Sequence, residues 1–349
     1  MKKNIALLLA TILILTGCTS DYIILPSISD VIITADSSVK LVNNTITFTV
    51  KDNLGTNLTS DAVFYVNNVA IEGNTFTSAV TGTFEVKANY LGISSVPLIV
   101  TFTDGTETNF VKRLLVEDYT GTWCGYCPRV AFAIEQLHAQ SENVVAVAIH
   151  RPSSNMSSAV YDPYNYDTTE LEDLINVPGY PKGMLNRTTQ WGFPEPDNIA
   201  QAIALTQGEN PKLGLALQPV INGRNISLTV KTQFSKNFEN LKLVVYVLEN
   251  GLVYAQHNYT DYYNSEDVIQ NYTHNHVLRG CLTPLLGENI SNSESVLNGI
   301  YTKTFNAPLP ASVTNAANVE FVAFVVDATG KTVNVRKAAA GNTQEFEIL

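Results

Sequence analysis

The sequence predicts a multidomain protein in which a central α/β unit lies between two all-β segments. Residues 22–104 and 211–349 contain short runs of alternating apolar and polar residues separated by turn residues, as half-buried strands do. From about Phe110, strand-like runs instead alternate with apolar residues at helical spacing. The length of 349 residues allows two or three domains that each bury a core.

The composition narrows the classes of function. Only 15% of the residues are charged and 45% are hydrophobic, which excludes a disordered chain and a coiled coil. The 21 Lys and Arg residues against 32 Asp and Glu give a formal net charge of −11. Phosphate backbones require a basic surface, so we expect no nucleic-acid partner. Anionic lipid headgroups are disfavoured for the same reason, and any membrane attachment should be hydrophobic or covalent.

The first residues determine the predicted compartment. Two lysines precede an apolar run over 5–15 that is too short to span a bilayer. The run ends in Leu-Thr-Gly before Cys18, and this segment resembles a bacterial lipobox, whose cysteine is lipidated. The resemblance implies a lipoprotein signal peptide over 1–17 and a lipid anchor on Cys18 in the outer membrane, on its periplasmic or cell-surface face. An ordinary secretory signal that contains a cysteine is the alternative.

Residues 18–105 are expected to form the first β domain after the lipidated cysteine. Ile46, Phe48 and Val50 alternate with threonines, which predicts a strand buried on one face. The segment resembles the Ig-like modules that precede functional domains in secreted bacterial proteins. We therefore expect an Ig-like β-sandwich that acts as a spacer. Similar alternations recur at 62–66, 84–88 and 98–102.

The central unit, residues 106–210, is expected to begin with a strand over 113–118. A helix should follow, and a continuous apolar run over 144–149 predicts a strand that is buried on both faces. Asp197 is a candidate N-cap for a later helix that runs through Leu205.

Residues 211–349 are expected to form a second β-sandwich. Asn-Gly and Thr-Gly pairs mark turns between the predicted strands. These strands are predicted over 213–220, 226–234, 241–248 and 319–326.

The most specific feature of the sequence is Trp-Cys-Gly-Tyr-Cys-Pro at 123–128, directly after the first central strand. A Cys-x-x-Cys where a strand turns into a helix places Cys124 at the helix N-terminus, where free N–H groups and the helix dipole lower its pKa. Cys127, one turn later, is placed to resolve a mixed disulfide. The pair should be able to form a disulfide in an exported protein, which leaves Cys281 over.

This segment resembles the active site of thioredoxin-fold proteins. Asp118 lies six residues before Cys124, where thioredoxins often keep a buried carboxylate that relays a proton. A solvated position for Asp118, with Glu117 pointing inward, is the alternative. Val-Pro-Gly-Tyr-Pro at 177–181 matches the V-x-G-x-P segment of that fold, whose proline is cis and faces the cysteines. The resemblance implies a thioredoxin-like domain with catalytic Cys124, Cys127 and Asp118, and with substrate-binding Trp123, Tyr180 and Pro181.

The order of segments also resembles a family. The lipobox, the Ig-like module, Glu-Asp-Tyr-Thr-Gly before Cys-x-x-Cys-Pro, and a β-rich tail with His-Asn-His-Val-Leu-Arg at 274–279 resemble lipoproteins related to a twenty-eight-kilodalton outer membrane protein of Bacteroidetes. The resemblance implies an outer membrane location. It implies little about activity, because the family is named by location.

Two functions from different classes follow. The first is a lipid-anchored thiol–disulfide oxidoreductase that acts on thiol-bearing envelope or extracellular proteins, uses a redox partner protein, and needs no cofactor or metal. The second is a non-enzymatic outer-membrane or surface lipoprotein whose β-sandwiches bind a protein or glycan and whose Cys-x-x-Cys disulfide is structural.

A zinc site would require His274 and His276 to converge on the cysteines from another domain. The two histidines are otherwise a metal-binding, proton-sensing or structural pair on one face of a strand. Cys281 is expected to be a buried thiol, and resolution of a disulfide with Cys124 is the alternative.

Overall fold

The structure is a computed structural model that describes residues 28–176 and 179–349. The predicted signal peptide and the lipidated Cys18 lie outside these residues. Within them the protein is multidomain and rich in β-structure. None of the helices in the described ranges is long and apolar enough to cross a membrane.

The N-terminal segment forms a β-sandwich. A three-stranded sheet in the order β1-β3-β6 packs against a larger sheet in the order β2-β9-β7-β4-β5. Ile46, Phe48 and Val50 point into the shared core, which confirms the predicted alternation on β3. The strands are β1 (Val31–Ala35), β2 (Val39–Leu41), β3 (Thr45–Asp52), β4 (Val63–Val66), β5 (Val69–Ile71), β6 (Thr75–Thr77), β7 (Gly82–Tyr90), β8 (Ile93–Ser94) and β9 (Leu98–Thr103).

The central segment contains the predicted strand–helix–strand unit. Strands β10 and β11 pair in parallel, and β12 pairs with β10 in the antiparallel direction. The predicted N-cap Asp197 lies inside a 3-10 turn that follows Pro194, and Asn198 is the N-cap instead, so the helix begins one residue later than predicted. The elements are β10 (Leu114–Thr120), α1 (Pro128–Gln140), β11 (Val144–His150), α2 (Thr169–Ile175), β12 (Lys182–Leu185), β13 (Thr189–Gln190) and α3 (Ile199–Leu205).

The C-terminal segment contains the four predicted strands and six more in the described residues. The predicted strands are β14, β15, β16 and β22, with ends within two residues of those expected. The strands are β14 (Leu213–Asn222), β15 (Asn225–Phe234), β16 (Lys242–Glu249), β17 (Leu252–His257), β18 (Val268–His274), β19 (Val277–Cys281), β20 (Glu288–Asn289), β21 (Ile300–Pro308), β22 (Val319–Val326) and β23 (Thr332–Ala339).

One nine-stranded sheet joins the central and C-terminal segments. Its order is β13-β12-β10-β11-β19-β16-β22-β23, with β20 paired to β16. The junction is a parallel contact between Ala148 of β11 and Val277 of β19. The sheet β14-β15-β21 packs on the C-terminal half of this sheet, where Leu215 and Leu228 meet Val245 and Phe321. The two segments therefore share one sheet across the predicted boundary at residue 210.

Strands β17 and β18 leave this sheet as a two-stranded antiparallel ribbon. We call residues 252–274, which are these two strands and the loop between them, the ribbon. The ribbon lies over the loop that connects β10 to α1, because backbone and side-chain groups of the two segments are hydrogen bonded to each other. It therefore covers the segment that carries the cysteine pair.

Candidate functional site

The cysteine pair lies between β10 and α1 and is oxidised. Cys124 and Cys127 are joined by a disulfide with an S–S distance of 2.06 Å. A helix follows the pair, as predicted, but Cys127 is its N-cap and Pro128 its first residue. Cys124 lies in the preceding turn, where its N–H donates to the carbonyl of Gly121 at 3.0 Å. The prediction that Cys124 lies at the helix N-terminus is therefore wrong, because Cys124 lies in the turn before the helix begins.

The disulfide is almost completely buried beneath the ribbon. Cys124 is 5% exposed and Cys127 is 1% exposed. The side-chain amide of Gln256 donates to the carbonyl of Cys124 at 3.0 Å. The N–H of Tyr259 donates to the carbonyl of Gly125, between the two cysteines, at 2.6 Å. These bonds fix the ribbon to the backbone of the Cys-x-x-Cys segment itself.

The contact between the ribbon and Gly125 leaves no space for a side chain. A Cβ atom on Gly125 would lie 2.2 Å from the ring of Tyr259, well inside van der Waals contact. The Tyr259 ring also packs edge-on against Tyr126, with 5.6 Å between centroids. Both tyrosines remain largely exposed, at 62% and 56%. The glycine is thus required by this packing, and two aromatic rings mark the rim above the disulfide.

Of the three predicted substrate-binding residues, Trp123 belongs to this loop and Tyr180 contacts it. The indole N–H of Trp123 donates to the carbonyl of Arg151 at 2.5 Å, and its ring meets the Tyr180 ring edge-on with 6.0 Å between centroids. The Tyr180–Pro181 peptide bond is cis, as the resemblance implies. The first two residues of the V-x-G-x-P segment, 177–178, fall outside the described residues. The structure thus brings Trp123 and Tyr180 together, but it does not test whether they bind a substrate.

Asp118 is buried, so its alternative position as a solvated strand-end acid is wrong. It is 4% exposed on the face of β10 that meets α1, while Glu117 is fully buried on the opposite face. Burial raises the pKa of Asp118 well above its usual value, the nearby charge of Glu195 raises it further, and Arg129 opposes both. Its Oδ1 atom has no hydrogen-bond partner among the described residues. Asp118 and Cys127 line the same cavity.

This cavity is the main concave feature near the disulfide and measures about 380 Å³. It is lined by α1, β10, β11, the ribbon and the two residues that follow the ribbon, and it is open to solvent. The chain has five histidines, and four of them line this one cavity. Strands β10 and β11 contribute through their α1-facing sides, because alternate residues of a strand share a face. The four are His138, His150, His274 and His276.

Burial keeps two of these imidazoles neutral. It lowers the pKa of His274 to about 3, with the neighbouring His150 adding to the effect. It lowers the pKa of His138 to about 4, with His276 adding to the effect. Nε2 of both rings is buried without a partner in the described part of the chain. His138 and His150 were not predicted as site residues, because neither belongs to a motif and only the fold brings them to this cavity.

The other two imidazoles each contact a carboxylate. Nδ1 of His150 lies 2.9 Å from Asp162, and Nδ1 of His276 lies 3.3 Å from Glu320.

The prediction that His274 and His276 share one face of a strand is wrong. Strand β18 ends at His274, and His276 adopts a left-handed turn with φ of 57°.

A zinc site would require His274 and His276 to lie beside the cysteines, and both histidines do line the same cavity as Cys127. The cysteines are oxidised, however, and thiolates are the form that binds zinc. No group of three or more His, Cys, Asp or Glu side chains within residues 28–176 and 179–349 is arranged to hold a metal ion.

Cys281 lies away from this site, on β19, in the core on the opposite face of the nine-stranded sheet. It is a free, partly buried thiol. Burial raises its pKa to about 11, and the Tyr166 hydroxyl opposes this shift. Its position agrees with the prediction of a buried thiol.

A buried ion pair on that opposite face was not predicted. The Arg187 guanidinium lies 3.4 Å from Glu117, and the Tyr246 hydroxyl lies 3.2 Å from the same carboxylate. Arg187 and Glu117 are 1% and 0% exposed. The cluster connects β10, the β12–β13 turn and β16 within the continuous sheet from which the ribbon extends.

The described residues thus define a multidomain, β-rich protein with a covered disulfide beside a histidine-lined cavity. The family described as outer membrane protein Omp28 matches residues 168–344, just over half of the 349 residues. The chain belongs to the Omp28 family, which confirms the predicted location in the outer membrane. The match begins after the cysteine pair, so it does not assign a role to the disulfide. Lipidation of Cys18 stays a prediction.

Solved structures give a further comparison. HBP35 of Porphyromonas gingivalis is 19% identical with a TM-score of 0.51, over 67% of this chain and 77% of that chain. This likeness concerns the fold alone. A domain of the outer membrane lipoprotein Omp28 from Porphyromonas gingivalis is 21% identical with a TM-score of 0.27, over 38% of this chain and 91% of that chain. A comparison with curated proteins finds no match.

Proposed function

We propose that this outer membrane lipoprotein is a non-enzymatic binding protein whose β-rich domains bind a protein or glycan partner and whose Cys124–Cys127 disulfide is structural. The observation that carries this proposal is the cover over the disulfide. Neither cysteine is more than 5% exposed, and the ribbon is hydrogen bonded to the carbonyls of Cys124 and Gly125. A structural disulfide is protected in this way, whereas a catalytic one must meet a partner thiolate.

Access to the disulfide would require the ribbon to move. The bond from Gln256 to Cys124, the bond from Tyr259 to Gly125, and a third from the N–H of His257 to the carbonyl of Thr122 at 2.9 Å would all break. Each such bond contributes roughly 0.5–1.5 kcal/mol net. The cover therefore opposes thiol–disulfide exchange at rest.

Exposed aromatic side chains support the binding role. Tyr126 and Tyr259 form an edge-on pair at the rim, and Phe193 is exposed nearby with Arg129 over its ring at 4.6 Å. Exposed tyrosine and phenylalanine rings commonly anchor protein and glycan partners, because they bury a large area at low entropic cost.

A second candidate function is a thiol–disulfide oxidoreductase, and Asp118 is the observation that favours it. A buried, unpartnered carboxyl with a raised pKa lines the same cavity as Cys127, and such groups are common at catalytic sites. In this candidate function the β10–α1–β11 unit is a thioredoxin-like domain, and the ribbon moves aside to expose the disulfide. A dithiol partner protein would reduce the disulfide and become oxidised. Cys124 would then attack a substrate disulfide, Cys127 would resolve the mixed disulfide, and Asp118 would transfer the proton.

Thiol exchange with a trapping variant tests the proposed function. The purified full chain, with reduced glutathione as the electron donor, is assayed for turnover of a disulfide-containing model protein. Its Cys127→Ser variant is incubated with the same protein without added thiol, and mixed disulfides are detected by non-reducing electrophoresis. A Cys127→Ser/Cys281→Ser variant is the control that removes the other free thiol. The proposal predicts no turnover by the native chain and no trapped species through Cys124. Turnover, together with trapping that survives Cys281→Ser, would establish the oxidoreductase instead.

A further inference from the structure

Aromatic side chains of the ribbon loop and of α1 form one continuous surface above the disulfide. Tyr262 of the loop stacks on Phe132 of α1 with 4.3 Å between centroids, and Tyr259 packs edge-on against Tyr126. Phe193 lies against the first turn of α1, where an arginine covers its exposed ring at 4.6 Å. We call this surface the aromatic rim, and its members are Tyr126, Phe132, Phe193, Tyr259, Tyr262 and Tyr263.

The ribbon loop presents these rings in a strained backbone conformation. Tyr263, Asn264 and Ser265 follow one another with φ of 55°, 62° and 54°. This left-handed region is disfavoured for residues with a side chain, and a bulky tyrosine is an outlier there. The Tyr263 hydroxyl donates to Glu135 of α1 at 2.9 Å, which fixes the loop to the helix. Strained residues concentrate at ligand-binding and active sites, so the conformation supports a binding role for the loop.

The ribbon adds negative charge to the aromatic rim. It contains no Lys or Arg, whereas Asp261, Glu266 and Asp267 of its loop are all exposed. None of these three carboxylates is in a salt bridge with another side chain of residues 28–176 and 179–349. Their charge is therefore free to attract a partner.

The neighbouring elements increase this charge. Glu135 of α1 and Asp197, just before α3, are exposed as well. Burial raises the pKa of the Tyr262 hydroxyl and the charge of Asp197 raises it further, which agrees with a position of this carboxylate beside the ring. Arg129, the cation next to Phe193, is already paired with Glu195 at 2.5 Å and so does not offset these acids.

An aromatic surface bordered by free carboxylates is complementary to Lys and Arg side chains. Their cationic groups are attracted both to aromatic faces and to carboxylates, and their aliphatic stems cover apolar area. A neutral glycan would contact the rings without using the charge, and an acidic partner would be repelled.

We propose that the aromatic rim and its bordering acids bind a segment of a protein partner that is rich in Lys and Arg. The inference rests on the proposed binding function and names the class of partner and the surface that it contacts. It places the partner on the outer side of the ribbon loop, above the covered disulfide.

Titration of the purified full chain with charged peptides tests the inference. One labelled peptide alternates Gly with Arg, a second of equal length alternates Gly with Glu, and binding is measured by fluorescence anisotropy and calorimetry. The arginine peptide should bind, with an affinity that falls as salt is added, and the glutamate peptide should not. Maltotriose serves as the probe for a neutral glycan.

Paired variants separate the aromatic rim from the general negative charge of the chain. Asp197→Asn/Asp261→Asn removes two charges at the rim and should weaken binding of the arginine peptide at least fivefold. Asp61→Asn/Glu72→Gln removes the same charge from exposed positions of the N-terminal β-sandwich and should bind like the native chain. Tyr126→Ser keeps the charge and removes one ring, and it should weaken binding at least threefold.

Circular dichroism and thermal melting confirm that each variant is folded. The inference is overturned when the arginine peptide does not bind, when the two double variants lose affinity equally, or when folded Tyr126→Ser binds like the native chain. Binding of maltotriose that is lost in Tyr126→Ser, without binding of the arginine peptide, would indicate a glycan partner instead. The peptides contain no sulfur, so this result is independent of trapping through Cys124, which tests the proposed function.

Discussion

The side-chain amide of Gln256 donates a hydrogen bond to the carbonyl oxygen of Cys124 at 3.0 Å, although 132 positions separate the two residues in sequence. The same amide also donates to the carbonyl of Gly121 at 3.2 Å. The C-terminal ribbon therefore satisfies backbone acceptors of the loop that carries the disulfide. This relationship determines whether the sulfur atoms are accessible.

Replacing Gln256 by alanine should expose the disulfide. The variant removes one of the two donors to each of the Gly121 and Cys124 carbonyls, at a cost of roughly 0.5–1.5 kcal/mol per bond, and loosens the ribbon. We expect reduction of the disulfide by dithiothreitol to be about tenfold faster, measured by quenched alkylation and mass spectrometry. Gln218→Ala on β14, away from the ribbon, is the matched control. Equal rates for the native chain and Gln256→Ala would contradict this role of the ribbon.

A side chain at Gly125 should displace Tyr259. The added Cβ would lie 2.2 Å from the tyrosine ring, so Gly125→Ala should lower the free energy of unfolding by roughly 1–3 kcal/mol. The clash disappears in Gly125→Ala/Tyr259→Ala, so the double variant should lose less stability than the two single losses added together. Urea denaturation measures all three variants. Strictly additive losses would show that the two residues are not coupled.

The buried Glu117–Arg187 pair should be costly to break. Arg187→Met leaves a fully buried carboxylate without its cation and should reduce stability by about 3–5 kcal/mol. Removing both charges in Glu117→Gln/Arg187→Met should restore part of that loss. Chemical denaturation checks the comparison, and a double variant that is less stable than Arg187→Met would contradict it.

Acid should destabilise the protein through His274. Burial lowers the pKa of His274 in the folded state from 6.5 to about 3, so the unfolded chain binds a proton first as the pH falls. Stability from this group is therefore full above about pH 6.5 and declines between pH 6.5 and 3, by up to ~1.4 kcal/mol per pH unit. His274→Gln should flatten the decline in urea midpoints, while His257→Gln should not. An unchanged slope in His274→Gln would contradict the assignment.

Asp118 should have the opposite pH dependence. Its folded-state pKa is raised above 3.8, so folding favours the protonated carboxyl, and stability declines as the pH rises from 3.8 towards the folded-state pKa. Asp118→Asn removes this cost and should stabilise the protein at pH 7 but not at pH 3. The difference between thermal midpoints at the two pH values measures it. Destabilisation at pH 7 would indicate that the ionised carboxylate is needed by the fold.

Local patterns in the sequence predicted much of the fold. Alternation on β3 identified a half-buried strand, and the apolar run over 144–149 identified β11, because side-chain burial follows the period of each element. The Cys-x-x-Cys segment was correctly placed before a helix. The chain's membership of an outer membrane family was also indicated by its motifs.

Long-range relationships could not be read from those patterns. No local signal places Gln256 over Cys124 or joins β11 to β19 in a single sheet, because both depend on pairing between residues more than 100 positions apart. The burial of Asp118 depends on α1 and the ribbon packing over β10. His138 and His150 belong to no motif, so the histidine-lined cavity appears only when the elements are assembled.

The reduction potential of the Cys124–Cys127 disulfide tests the central claim most directly. The native chain is equilibrated in glutathione and dithiothreitol redox buffers, in a Cys281→Ser background, and the oxidised fraction is quantified after alkylation. A covered structural disulfide predicts a potential below about −300 mV. A value near −200 mV, in the range of catalytic dithiols, would contradict the claim and favour the oxidoreductase.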